Sequence, residues 1–217
     1  VNLFLGWPSF LEQIKYQSEF LGKQYCKIMD FGCGAGEFCK RLSIEGHQVY
    51  GIDSSQAMLE LAKTNTPSDI QYIFANHQGE QILKEPVLRN LDIISSMHVL
   101  DWIEDVASML DKMSSLLSKN GLLLFSVFPK SHVIESLRIK DLFEDFDNEQ
   151  DPSQGVCNFD GVKIPVYIRE ASYFDEIFNR LGFEKVIEAY PPFPKVFFEK
   201  YNWTGATSPE MLILGYR

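Results

Sequence analysis

The chain has 217 residues, a net charge of −10, 45% hydrophobic and 13% aromatic residues. That length and composition suit one domain, 1–217, with a real core, and the acidic balance argues against a nucleic-acid partner held by phosphate neutralisation. The longest apolar runs, such as GLLLFSVF at 121–128, are too short to cross a bilayer, so no membrane partner and a cytoplasmic setting are expected.

Apolar Phe10, Leu11, Ile14, Phe20 and Leu21 predict an amphipathic helix over 9–24. Lys27–Phe31 reads as a short buried strand, Glu37–Glu45 as a helix closed by Gly46, and His47–Ile52 as a second strand. Ser54 or Ser55 suits the cap of a helix running to about Asn65. Gln71–Ala75 and Leu91–Ser95 follow as strands. Between 104 and 118, Val106, Met109, Leu110, Met113, Leu116 and Leu117 share one helical face, and KNG ends that helix before a fifth strand, Leu122–Phe128. Nearly continuous apolar strands alternating with helices imply a parallel sheet covered on both faces.

After Phe128 the rhythm breaks. Residues 130–165 are mixed, acidic and poor in clear strands, and read as an insertion over the sheet's edge. A helix over 172–181 ends at Gly182, and strands Phe183–Ala189 and Met211–Tyr216 flank a long loop, which fits antiparallel end strands. Cysteines 26, 33, 39 and 157 match no zinc or redox spacing and read as reduced thiols.

The chemistry concentrates in IMDFGCGAGEF, residues 28–38. A glycine-rich strand-to-helix turn lies at the carboxyl edge of such a sheet, where ligands bind. Gly32, Gly34 and Gly36 are spaced G-x-G-x-G, and Glu37 stands where a dinucleotide site needs its last glycine. A carboxylate there repels a pyrophosphate. Asp30, an acid at the end of a buried strand, asks for a cation or good donors. Asp53, ending the second strand, suits both ribose hydroxyls or, alternatively, a helix cap with Ser54.

In these segments the chain resembles the class I S-adenosylmethionine-dependent methyltransferases. IMDFGCGAGEF is similar to the family's first motif, VYGIDSSQAML to its second, LDIISSMHVLDWIEDV to its fourth-strand motif and LLSKNGLLLFSVF to its fifth strand. The resemblance implies an α/β, Rossmann-like sandwich with a seven-stranded, mostly parallel sheet, the last strand antiparallel. It also implies a substrate lid formed by the N-terminal helix, 9–24, and an insertion after the fifth strand, about 130–170. The cofactor would be S-adenosyl-L-methionine, leaving as S-adenosyl-L-homocysteine. Its contacts would come from Asp30, Gly32, Cys33, Gly34, Gly36, Asp53, Ser54, Met58, Asn76, His77, Ser96 and Met97. Met58 would lie against adenine, and Asn76 would accept from the adenine amino group, with His77 and Gln78 as rivals.

Methyl transfer from a sulfonium needs alignment and exclusion of water, and a base only where the acceptor must lose a proton. His98 is a base or a packed side chain, Asp101 holds the methionine end or acts on substrate, and His132 is a second base. DLFEDFDNEQD, 141–151, lacks the glycine and closing acid of a calcium loop, so no metal is expected. Tyr167, Tyr173, Phe193, Phe197, Tyr201 and Trp203 are candidates for an apolar acceptor pocket. The expected activity is methyl transfer to an O or N atom of a small molecule by a monomer or homodimer. The rival readings are a lyase or cyclase consuming the same cofactor and a non-catalytic partner subunit that binds it.

Overall fold

The computed structural model describes residues 2–76, 78–130, 133, 143–145, 154–201 and 211–217. Helix α1 (Gly6–Leu21) leads into β1 (Lys27–Phe31), α2 (Glu37–Ile44), β2 (Gln48–Asp53), α3 (Gln56–Asn65) and β3 (Gln71–Phe74). Then come α4 (Glu80–Lys84), β4 (Leu91–Met97), α5 (Val106–Ser114) and β5 (Leu117–Val127). Strands β6 (Phe143–Asp145), β7 (Gln154–Phe159) and β8 (Val162–Tyr167) precede α6 (Ala171–Leu181), β9 (Lys185–Ala189), α7 (Lys195–Tyr201) and β10 (Leu212–Tyr216).

Seven strands form one sheet in the order β3-β2-β1-β4-β5-β10-β9, with β10 antiparallel to both of its neighbours. Side chains alternate across it and build two cores. Met29, Ile94, Leu123 and Phe125 face α5 and α6, whereas Ile28, Ile93, Leu122 and Leu124 face α1 and α2. The chain runs outward from β1 to β3 and returns to β4, so the sheet's switch point lies between β1 and β4. The seven-stranded sheet with an antiparallel last strand is as expected.

Several local readings are corrected. The helix around 104–118 stops at Ser114, because a turn over 115–116 leads straight into the sheet: Leu117 pairs with Leu91 and Leu122 with Ile93. The Lys119–Gly121 turn signal is therefore a bulge inside β5, with Asn120 at φ 64°, and does not terminate the helix. The segment after β5 is not poor in strands, since β6, β7 and β8 make an antiparallel sheet of their own. Asp160 (φ 51°) and Gly161 (φ 87°) form the two-residue turn between β7 and β8 that an Asp-Gly pair favours. The link between β9 and β10 contains helix α7, whose Phe197 packs with Leu5 and Phe193. Helix α1 is shifted toward the N-terminus of the predicted range and closes at Gly22, in the left-handed conformation.

Candidate cofactor and active site

At the carboxyl edge of the sheet, beside the switch point, lies a cavity of about 310 Å³. Its walls are Phe31 and Gly32 at the end of β1, Asp53 and Ser54 at the end of β2, Ala75 and Asn76 after β3, and Val99, Trp102 and Ile103 after β4. The sequence folds this way because each strand ends there and the glycine loop must turn sharply. Gly32 N–H and Cys33 N–H both donate to Ile52 O, at 2.7 and 2.9 Å. Gly32 has φ 79°, and a Cβ on it would stand 2.1 Å from Val99 Cγ2. Gly34 has φ 54°, and a Cβ there would meet nothing within 4 Å, so this peptide is open to an approaching ligand.

Asp53 is fixed by the loop it faces. Gly34 N–H donates to Oδ2 and Ser55 N–H to Oδ1, both at 2.8 Å. The cap of α3 is Ser55, whose Oγ accepts from Met58 N–H at 3.3 Å, so Asp53 is not occupied as a helix cap. Each carboxylate oxygen keeps acceptor capacity for a hydroxyl. Met58 lies in the first turn of α3 with 45% of its surface exposed.

Asp30 is buried behind the glycine loop at 4% exposure. Ser95 Oγ donates to its Oδ1 at 2.8 Å and Cys39 Sγ to its Oδ2 at 3.5 Å. Two neutral donors do not offset the loss of water, and desolvation pushes its carboxyl up to about 6. Cys33 and Cys39 are buried in the core on the α1 side, and Gly36 packs α2 against Tyr72, whose Oη would be 2.4 Å from a Cβ there. Met97 joins the same core. Ser96 is fully buried on the opposite face, its Oγ without a partner among the described residues.

Asn76 differs from expectation. Its Oδ1 accepts from Gln78 N–H and Gly79 N–H, at 3.2 and 3.1 Å, closing the turn before α4. The group left for a ligand is therefore its amide NH₂, a donor. His77, like His132 and Trp203, lies outside the described residues.

Past β4 the chain builds a second constellation. His98 takes a left-handed backbone (φ 54°), held by its N–H to Ser126 O at 3.1 Å. Trp102 Nε1 donates to His98 O at 2.7 Å, and the imidazole lies 4.7 Å from the Phe128 ring. His98 Nδ1 is buried, has no hydrogen-bond partner among the described residues, and stands 3.9 Å from Asp101 Oδ2. Asp101 is itself buried and accepts Phe128 N–H with both oxygens, at 3.1 and 3.2 Å. Burial raises its carboxyl pKa, while His98, the Phe128 N–H and Arg169 pull it back.

The candidate acceptor aromatics divide into two groups. Tyr167 and Tyr173 flank the Arg169 guanidinium, at 4.9 and 5.4 Å. Phe193 and Phe197 are buried against Leu5, and Tyr201 stands edge-on to Phe4, so these rings tie α7 to the start of α1. Tyr167 also lines a second cavity of about 410 Å³, which shares Trp102 and Ile103 with the first. Sequence reasoning missed Arg169, although it carries a signal: it is a cation within an aromatic run, VYIREASYF.

A family profile described as a methyltransferase domain matches residues 9–188. The chain belongs to that family. It is a class I, S-adenosylmethionine-dependent methyltransferase in fold, and S-adenosylmethionine is its cofactor. A ubiquinone biosynthesis O-methyltransferase of Bradyrhizobium diazoefficiens is 30% identical over 105 residues, 48% of this chain and 41% of that protein. One of Pelagibacter ubique is 25% identical over 123 residues, 57% of this chain and 50% of that protein. The methyltransferase chain thus spans about half the length of the curated relatives it matches.

An S-adenosylmethionine dependent methyltransferase structure from Listeria monocytogenes superposes with a TM-score of 0.70 at 21% identity, covering 88% of this chain and 89% of that one. Magnesium protoporphyrin IX methyltransferase from Synechocystis, with bound S-adenosylhomocysteine, gives 0.61 at 17% identity over 96% of this chain and 81% of that one. At these identities the likeness is one of fold. The donor set of this methyltransferase fits the cofactor: a carboxylate with acceptor capacity for ribose hydroxyls, an amide donor, and a buried acid whose charge only neutral donors meet. No helix among the described residues is long and apolar enough to cross a membrane.

Proposed function

We propose that this methyltransferase moves the methyl group of S-adenosylmethionine to a hydroxyl oxygen of a small molecule. The observation that carries the reading is the His98–Asp101 pair, one residue from the cofactor cavity wall at Val99. An oxygen nucleophile gains most from losing its proton at attack, because a neutral hydroxyl is a weak nucleophile, whereas a neutral amine is already nucleophilic without a base. Asp101, buried and anchored on Phe128 N–H, faces His98 Nδ1, which leaves Nε2 to take a proton. The curated relatives are O-methyltransferases by name, which supports oxygen over nitrogen.

S-adenosylmethionine supplies an electrophilic methyl on a sulfonium and departs as S-adenosylhomocysteine. Asp53 would hold the ribose hydroxyls, the Asn76 amide would donate to the adenine edge, and Met58 would cover the ring. Asp30 would answer the positive charge through the glycine loop. Trp102 and Ile103, which line both cavities, would exclude water between them, and the β6–β8 sheet would serve as the lid over the acceptor. A cytoplasmic setting without nucleic acid, as a monomer or homodimer, fits the acidic chain and its free cysteines.

The test is incubation with methyl-labelled cofactor and matched phenol and aniline acceptors, with products read by mass spectrometry. Label on the phenol oxygen, lost in H98N, is the expected result. Label on nitrogen alone overturns the oxygen assignment. Methylthioadenosine formed without acceptor would mean lyase or cyclase chemistry, and calorimetric binding of the cofactor with no product from any acceptor would mean a non-catalytic subunit that binds it.

A further inference from the structure

Arg169 sits between β8 and α6, where the inserted sheet rejoins the main fold, and is only 8% exposed. Burying a guanidinium is costly unless its donors are satisfied. Here Nη1 donates to Leu100 O at 3.2 Å, and Nη2 to Ile103 O at 2.9 Å and Glu104 O at 2.8 Å. All three acceptors are main-chain carbonyls of one short segment after β4. The Tyr167 and Tyr173 rings cover the cation.

The clamped segment carries Trp102 and Ile103, the side chains common to the cofactor cavity and the second cavity. We propose that Arg169 is a positioning residue for cofactor binding, holding the Leu100–Glu104 turn as a wall of the cofactor cavity and tying it to the inserted sheet. This rests on the cofactor site proposed above. A rigid fork reaching carbonyls from two nitrogens does what the single ammonium of a lysine cannot. Coupling between wall and insertion is reciprocal: cofactor binding tightens β7 and β8 to the degree that Arg169 tightens the cofactor.

The experiment titrates S-adenosylhomocysteine into wild type, R169K and R169A by calorimetry, with thermal unfolding of the ligand-free proteins alongside. Both variants are expected to bind about tenfold or more weakly. Ethylguanidinium is expected to restore affinity to R169A and not to R169K, which keeps the charge but fills the space. Hydrogen exchange in β7–β8 is expected to slow on ligand addition in wild type and not in R169K. Should R169A not fold, R169K decides. A lowered melting temperature with unchanged dissociation constants overturns the proposal and leaves Arg169 a purely structural anchor. No binding by wild type itself would instead defeat the cofactor site on which the proposal rests.

Discussion

Replacing Asp30 by Asn should make the protein more stable at neutral pH and worse at its task. Desolvation holds the folded carboxyl up to about 6 against an ordinary value of 3.8. Below 3.8 the acid is protonated in folded and unfolded chains alike, and its contribution is intact. As pH rises through about 6, the folded state must carry a charge that the unfolded chain bears more easily, and stability is lost. That interval corresponds to about 3 kcal/mol. Asn keeps an acceptor for Ser95 Oγ but weakens the bonds that Ser95 and Cys39 make to a charge, which returns about 1 kcal/mol. D30N is thus expected to be about 2 kcal/mol more stable than wild type at about pH 7.5. At about pH 4 the advantage should be gone. Urea unfolding of both proteins across this pH range measures it, and calorimetry on the same samples should show weaker S-adenosylmethionine binding by D30N. A difference in stability that does not change with pH would refute the reasoning, because charge burial would not be its source.

At Asp53, removing the carboxylate in D53A frees Gly34 N–H and Ser55 N–H and removes the ribose acceptor, so S-adenosylhomocysteine affinity should fall at least about tenfold by calorimetry. The two loop glycines should separate in urea unfolding. G32A, with its Cβ 2.1 Å from Val99 Cγ2, should lose about 3 kcal/mol, whereas G34A, with no such contact, should lose about 1 kcal/mol. H98N should lower kcat on a hydroxyl acceptor about 10²-fold or more while cofactor affinity holds. Equal losses in both quantities would point to a structural histidine.

Much of the fold is readable in the sequence because its signals are local. Periodicity locates the strands and helices of the main sheet, and G-x-G-x-G flanked by Asp30 and Glu37 separates this site from a dinucleotide site on spacing and charge alone. The misreadings arise where local signals conflict or a distant partner decides. Leu116 and Leu117 continue a helical stripe, yet pairing with β4 takes Leu117 into the sheet, and the Asn120–Gly121 turn signal becomes a bulge. The Asp160–Gly161 pair announces a hairpin between QGVCNF and VKIPVY, a local signal that the acidic stretch 141–151 before it obscures. Helix α7 is short, and its apolar face answers Leu5 and Phe4 from the far end of the chain.

The sequence by itself determined the fold class and the kind of cofactor, since glycine spacing and the placement of acids after consecutive strands are short-range properties. Only the tertiary structure decided how those groups are used. It turned the Asn76 carbonyl inward, against Gln78 and Gly79. It set His98 against the buried Asp101 and brought Arg169, 65 to 69 residues along the chain, onto the carbonyls behind Trp102. Hydrogen-bond partners and desolvation depend on elements that meet in space. Residue spacing along one chain does not encode them.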